Sequence, residues 1–316
     1  MTIFKPLKRS DSSNEARPSI RAFWLLFLLT SVSLSLYAQE GDEILIDSSV
    51  VIVNASIKES DGRNAAGLRK DQFRIFEDGV EQRIEYFSDE ETPFAAVILL
   101  DTSGSMEERV AMARAAAIRF LDGLRETDAV AIYRFDSKIS LVQPFSNSRD
   151  IAEGAFNLKA YGMTRMNDAI HQAAVDLSKR AEKRRAIIVL SDGQDTMSGR
   201  SAEKALKSAV SADIAIYTID MSPTGNAKRV QNQGVLKNLA EKSGGTFVST
   251  PGGAAMREAF EKIVEELGIQ YTLGYSPLNT KRDGKWRSIE LRVAKPNLTI
   301  RTRKGYNAEK ANSLNH

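Results

Sequence analysis

Six apolar residues run without a break from Ala95 to Leu100 and stop at Asp101. A run with no alternation suits a strand buried on both faces, as in a parallel sheet covered by helices. Downstream, Val110, Ala113, Ala117, Leu121 and Leu124 fall on one stripe at the helical period, which predicts a helix lying on that sheet. Glu107 and Glu108 are expected in its first turn, where they suit the helix dipole. Apolar runs at 129–133, 186–190, 214–219 and 247–248 predict further strands, with a hairpin-like edge over 139–142. Helices are expected on both sides of a loop at Thr164, then from Ala202, over 234–241 and over 254–267. Strands and helices alternating through residues 93–268 predict a doubly wound, mostly parallel α/β sheet, Rossmann-like in its layering.

The flanks carry a different rhythm. Val51, Val53, Ala55 and Ile57 alternate with Ile52, Asn54 and Ser56, the period of a half-buried strand. Phe73–Phe76 runs into Glu77-Asp78-Gly79-Val80, a strong hairpin signal, and Ile84 and Tyr86 are expected on its return strand. After residue 268, strands are predicted at 270–275, 288–293 and 298–303. Four strands before the α/β unit and three after it are each marginal alone, while seven make a workable sandwich. The chain therefore divides into an N-terminal β module (39–92), the α/β unit (93–268), C-terminal strands (269–308) expected to complete that module, and a tail (309–316).

Composition changes the picture at the N-terminus. Lys5, Lys8, Arg9, Arg17 and Arg21 precede an apolar stretch, 22–29, that continues more weakly to Ala38. Residues 1–38 read as a signal peptide cleaved after Ala38; the alternative is an uncleaved membrane anchor. The expected location is the periplasm, the cell surface or the medium. The 316-residue chain has 44 basic and 41 acidic residues. Without the leader, 39 of each remain, so the charge gives no reason to expect a nucleic acid partner. The chain has no cysteine, which excludes disulfides, thiolate chemistry and Cys-ligated zinc.

The candidate chemistry sits where the central strand ends. Asp101, Ser103 and Ser105 supply one carboxylate and two hydroxyls, spaced two apart in a turn containing Gly104. Open α/β sheets place ligands at the carboxyl ends of their strands, and hard oxygen donors suit Mg²⁺ or Mn²⁺. Asp101-Thr102-Ser103-Gly104-Ser105 resembles the D-x-S-x-S signature of the von Willebrand factor type A domain, which opens the metal-ion-dependent adhesion site. The resemblance implies a Thr from a later loop and an Asp after a later strand. Thr164 and Asp192 stand in those places. The loop usually reads Gly-Gly-Thr; here Met163 precedes the Thr. The flanks also resemble an exported acidobacterial family related to von Willebrand factor type A domains. That likeness is carried by the Asp-Gly hairpin before the signature and by 271–277 and 301–306 after it.

The resemblance implies metal contacts from Asp101, Ser103, Ser105, Thr164 and Asp192, some through water. Two carboxylates and three neutral hydroxyls leave a divalent cation electron-poor, with a position open for a Glu or Asp of a protein partner. The expected function is a non-catalytic exported binding protein; membrane contact would follow only from an uncleaved leader. The alternatives are an envelope scaffold with a structural metal and, least favoured, a metal-dependent hydrolase. Neither G-x-x-x-x-G-K-[ST] nor G-x-S-x-G occurs, and His171 and His316 are the only histidines. Asp168 and Asp195 read as capping or solvated residues, and His171 as a surface or core imidazole. Asn54 and Asn297 open glycosylation-type triplets that are common by chance. Residues 281–304 hold nine basic and two acidic residues, read as a solvated strand face in preference to a site for an acidic partner.

Overall fold

The computed structural model describes residues 50–150, 158–160, 162–222, 229–249 and 253–308. The predicted leader and tail lie outside these residues.

The central strand β5 (Phe94–Asp101) is buried along its whole length. Its odd and even residues feed different cores. Phe94, Ala96, Ile98 and Leu100 pack with α1 (Val110–Asp122) and α5 (Gly253–Gly268). Ala95, Val97 and Leu99 pack with α2 (Met166–Ser178), α3 (Ala202–Ser211) and α4 (Arg229–Ser243). This is why the strand carries no polar alternation: neither face meets water.

Around β5 lie β6 (Ala129–Phe135), β7 (Ile139–Ser146), β8 (Arg184–Ser191), β9 (Ile214–Asp220) and β10 (Phe247–Ser249), in the order β10-β9-β8-β5-β6-β7. All neighbours are parallel except the β6–β7 edge pair. After β6 and β7 the chain returns to the other side of β5, so a topological switch point opens between the ends of β5 and β8. The helix after Asp101 begins at Val110, which puts Glu107 and Glu108 in the preceding turn and not in its first turn. One helix, α2, follows the Thr164 loop; residues 151–157 before it lie outside the description.

The flanking strands pair with one another. They are β1 (Val51–Lys58), β2 (Phe73–Glu77), β3 (Val80–Gln82), β4 (Tyr86–Ser88), β11 (Tyr271–Tyr275), β12 (Trp286–Val293), β13 (Thr299–Arg301) and β14 (Gly305–Asn307). They form two antiparallel sheets, β13-β1-β11-β4 and β14-β12-β2-β3. Each sheet mixes strands from both ends of the chain, as in Val53 opposite Leu273 and Ile75 opposite Leu291. Val51, Val53, Ala55, Ile57, Phe73, Ile75, Leu273, Ile289 and Leu291 share one core. Ile84 and Tyr86 do not extend the β3 return strand: Tyr86 lies on β4, in the opposite sheet. Among the described residues the flanking strands number eight, because β14 adds one that three residues of pattern could not announce.

The basic tail is mostly paired. Arg287, Arg292, Lys295, Arg301 and Arg303 meet Asp283, Glu290, Glu59, Glu266 and Asp213 respectively. Arg287 and Arg303 are buried, so a uniformly solvated face is corrected to a set of ion pairs, two of which join the sandwich to the α/β unit. Arg184, fully buried at the start of β8, holds both linkers between the two layers. Its Nη1 donates to Gly268 O at 2.7 Å, and its Nη2 donates to Glu90 O at 2.8 Å and Gln270 O at 2.5 Å. Burial pushes the guanidinium down to about 10, and the charge of Arg125 adds to this.

Candidate metal centre

Asp101 ends β5 and is fully buried. Its Oδ1 accepts from Ser103 N at 2.9 Å and from Ser103 Oγ at 2.5 Å. Its Oδ2 accepts from Ser191 Oγ at 2.5 Å. Ser103 Oγ lies 3.1 Å from Ser105 Oγ. Ser103 is buried and Ser105 exposed, so the donor set begins under the surface and opens to solvent at Ser105. Burial pushes the Asp101 carboxyl up to about 7; hydrogen bonds from Ser103 and Ser191 work against it, and the charge of Asp192 adds to it.

Asp192 follows β8, next to β5. Its Oδ1 accepts from Gln194 N at 3.1 Å, and its backbone oxygen accepts from Ser222 Oγ at 3.2 Å. Its Oδ2 is buried and has no hydrogen-bond partner among the described residues. A buried carboxylate oxygen in that state is costly unless something supplies positive charge.

Thr164 is brought in by loop-to-loop bonds. Gly104 N donates to Gly162 O at 3.1 Å, tying the Thr164 loop to the turn after β5. Gly162 has φ +76°, and a Cβ there would stand 2.3 Å from Ser137 Oγ, so the position requires glycine. Met163 N donates to the same Ser137 Oγ at 3.0 Å. On the other side, Thr196 N and Met197 N both donate to Thr164 O, and Thr164 N donates to Thr196 Oγ1. Met163 in place of a second glycine therefore leaves the loop anchored at both ends.

Asp168 and Asp195 are cappers, joining the Thr164 loop to the one after β8. Asp195 Oδ2 accepts from Asn167 N at 2.8 Å and its Oδ1 from Ser198 N at 3.0 Å. Asp168 accepts from Gly199 N at 3.0 Å and Arg200 Nη1 at 3.1 Å. Burial raises the Asp168 carboxyl, but these donors outweigh it and hold the group below its ordinary value. His171 sits 2.8 Å from Ser208 Oγ, between α2 and α3. The residues that sequence reasoning missed are Ser191, Ser222 and Ser137. Each is an ordinary serine in sequence and becomes visible only through the group it holds.

The five residues fit a small, hard cation. All donors are oxygens, two are carboxylates, and one carboxylate oxygen is buried without a partner among the described residues. Among the described residues no group of three or more His, Cys, Asp or Glu gathers for a metal, so any cation here would lean on hydroxyls, which suits Mg²⁺ or Mn²⁺ over zinc. No described helix is long and apolar enough to cross a membrane.

No curated protein sequence matches the chain. Among solved structures, the conserved hypothetical protein BatB from Bacteroides thetaiotaomicron is similar at 18% identity, over 56% of this chain and 98% of that one, with a TM-score of 0.47. The PilB minor pilin from Streptococcus sanguinis is similar at 16% identity, over 57% and 62%, with a TM-score of 0.47. A von Willebrand factor type A protein from Catenulispora acidiphila is similar at 16% identity, over 85% and 76%, with a TM-score of 0.47. The sequence profile of the von Willebrand factor type A domain matches residues 96–266. That span covers nearly all of the doubly wound sheet and all five candidate ligands, and the chain belongs to the von Willebrand factor type A domain family.

Proposed function

We propose that this chain is an exported, non-catalytic binding protein. In this reading Asp101, Ser103, Ser105, Thr164 and Asp192 hold Mg²⁺ or Mn²⁺ at the switch point, directly or through water. The cation would supply a Lewis-acidic position for the carboxylate of a Glu or Asp on a protein partner. The chain's own residues do the rest. Ser191 and Ser103 orient Asp101, Gln194 N and Ser222 orient Asp192, and the 196–197 backbone holds Thr164. The observation that carries the reading is Asp192 Oδ2, a buried carboxylate oxygen with no partner among the described residues, on the strand end beside Asp101. Type A domains are generally interaction modules, which supports a non-catalytic role.

A thermal melt of the purified protein with Mg²⁺ and Mn²⁺ titrated in tests the site. Specific binding raises the midpoint, by about 2.7 kcal/mol of stabilisation at a hundredfold excess over Kd. Asp101→Ala and Asp192→Ala should both lose the rise. An equal response in all three proteins would refute the five-residue site.

A further inference from the structure

Two methionines stand at the surface beside Thr164. Met163 is 49% exposed and Met197 is 41% exposed. Large apolar side chains that stay in water next to a ligand site commonly belong to the binding surface. Neither is there by looseness. Met163 is fixed by Gly162, which has no room for a side chain, and by the Ser137 hydroxyl on its N–H. Met197 is fixed by its N–H on Thr164 O at 3.0 Å. Both side chains thus spring from backbone within one residue or one hydrogen bond of Thr164.

The turn after Ser105 is charged. Glu107 and Glu108 lie two and three residues after Ser105, are exposed, and make no ion pair among the described residues. Their carboxylates repel a run of acidic residues, while the cation draws in one carboxylate. A segment that suits both the methionines and the glutamates has a single acidic residue with an apolar neighbour.

We propose that Met163 and Met197 form the apolar half of the binding surface, which takes a protein segment whose metal-bound Glu or Asp is directly flanked by a large apolar side chain. This rests on the metal-site reading above, and it adds the chemistry of the partner. Methionine suits the task, since its flexible, polarizable chain adapts to aliphatic and aromatic neighbours alike. Covering one such side chain contributes about a tenfold gain in affinity.

The test is a peptide array probed with the purified full chain. Each peptide holds one central Glu in a Ser/Gly background, with its neighbours varied among Leu, Phe, Ser, Lys and Glu. Binding is read in Mg²⁺ and in EDTA, for the parent, Met163→Ser, Met197→Ser and Asp192→Ala. The expected result is retention of Leu- and Phe-flanked peptides in Mg²⁺, its loss in EDTA and in Asp192→Ala, and a weakening of about tenfold in each Met→Ser variant. Equal Mg²⁺-dependent binding whatever the neighbour, or Met→Ser variants that bind as the parent does, overturns the proposal and leaves the metal site standing. So does a Mg²⁺-dependent rise in the melt with no peptide retained. Absence of any rise in the parent's melt overturns the metal site itself. Circular dichroism of the Met→Ser variants separates lost contact from lost fold.

Discussion

Asp192→Asn is predicted to reverse the order of stability with and without metal. Asp192 Oδ1 accepts one backbone bond at 3.1 Å, which an Asn oxygen keeps. Oδ2 is buried with no partner among the described residues, and the charge it shares acts on Asp101 on the neighbouring strand. Removing that charge at constant volume relieves a buried, unpaired carboxylate, worth roughly 1–2 kcal/mol in the metal-free protein. In Mg²⁺ at a hundredfold excess over Kd, the parent gains about 2.7 kcal/mol. The variant lacks one of only two carboxylates and gains little. The parent should then lead by about 1 kcal/mol. In a domain of this size each kcal/mol moves the midpoint by about 2–4 °C. The assay is scanning calorimetry of both proteins at one pH and ionic strength, in EDTA and in saturating Mg²⁺. A variant that melts below the parent in EDTA would sink the reasoning, because Asp192 would then be stabilising without a cation. An equal Mg²⁺ rise in both proteins would sink it too.

Gly162→Ala should destabilise by about 1–2 kcal/mol and blunt the Mg²⁺ response in the same melts, since φ is +76° and the new Cβ would collide with Ser137 Oγ; an unchanged response would mean the Thr164 loop does not depend on that anchor. Arg184→Met should cost about 3–5 kcal/mol in urea unfolding, because it strips partners from the buried carbonyls of Gly268 and Gln270 and from the part-buried carbonyl of Glu90; a loss under 1 kcal/mol would show that these linkers do not need the guanidinium. Asp168→Asn should remove a stabilising term that is complete above the ordinary carboxylate value and fades as pH falls through the lower folded-state value. Urea midpoints of parent and variant should therefore converge on acidification below about pH 4, and a constant gap from pH 3 to 7 would contradict this.

Much of this protein is written along its chain in one dimension. The unbroken run before Asp101 dictated a strand buried on both faces, because any polar residue there would face a helix and not water. The same run put the Asp-x-Ser-x-Ser turn at the ligand-binding end of a sheet. Strand alternation likewise told which side of β1 and β12 turns inward. It did not tell which strand lies beside which, because a period of two fixes a face and not a partner. Hence the mixing of N- and C-terminal strands, with β1 beside β11 and β2 beside β12, is a tertiary outcome. So is the assignment of Tyr86 to the sheet opposite β3.

At the site, Asp101, Ser103 and Ser105 could be grouped by spacing alone. Thr164 and Asp192 were legible only through a family resemblance, since they come from segments 60 to 90 residues away that the strand order folds back beside β5. Ser137, Ser191 and Ser222, which hold the carboxylates and the Thr164 loop, have no sequence signal at all: a serine's hydroxyl is generic until a neighbour defines its direction. The basic tail misled for a related reason. Composition counts charges, while only the packed structure decides that Arg301 meets Glu266 and Arg303 meets Asp213. Side chains over long loops pair by proximity in space, and proximity is what folding adds to the sequence.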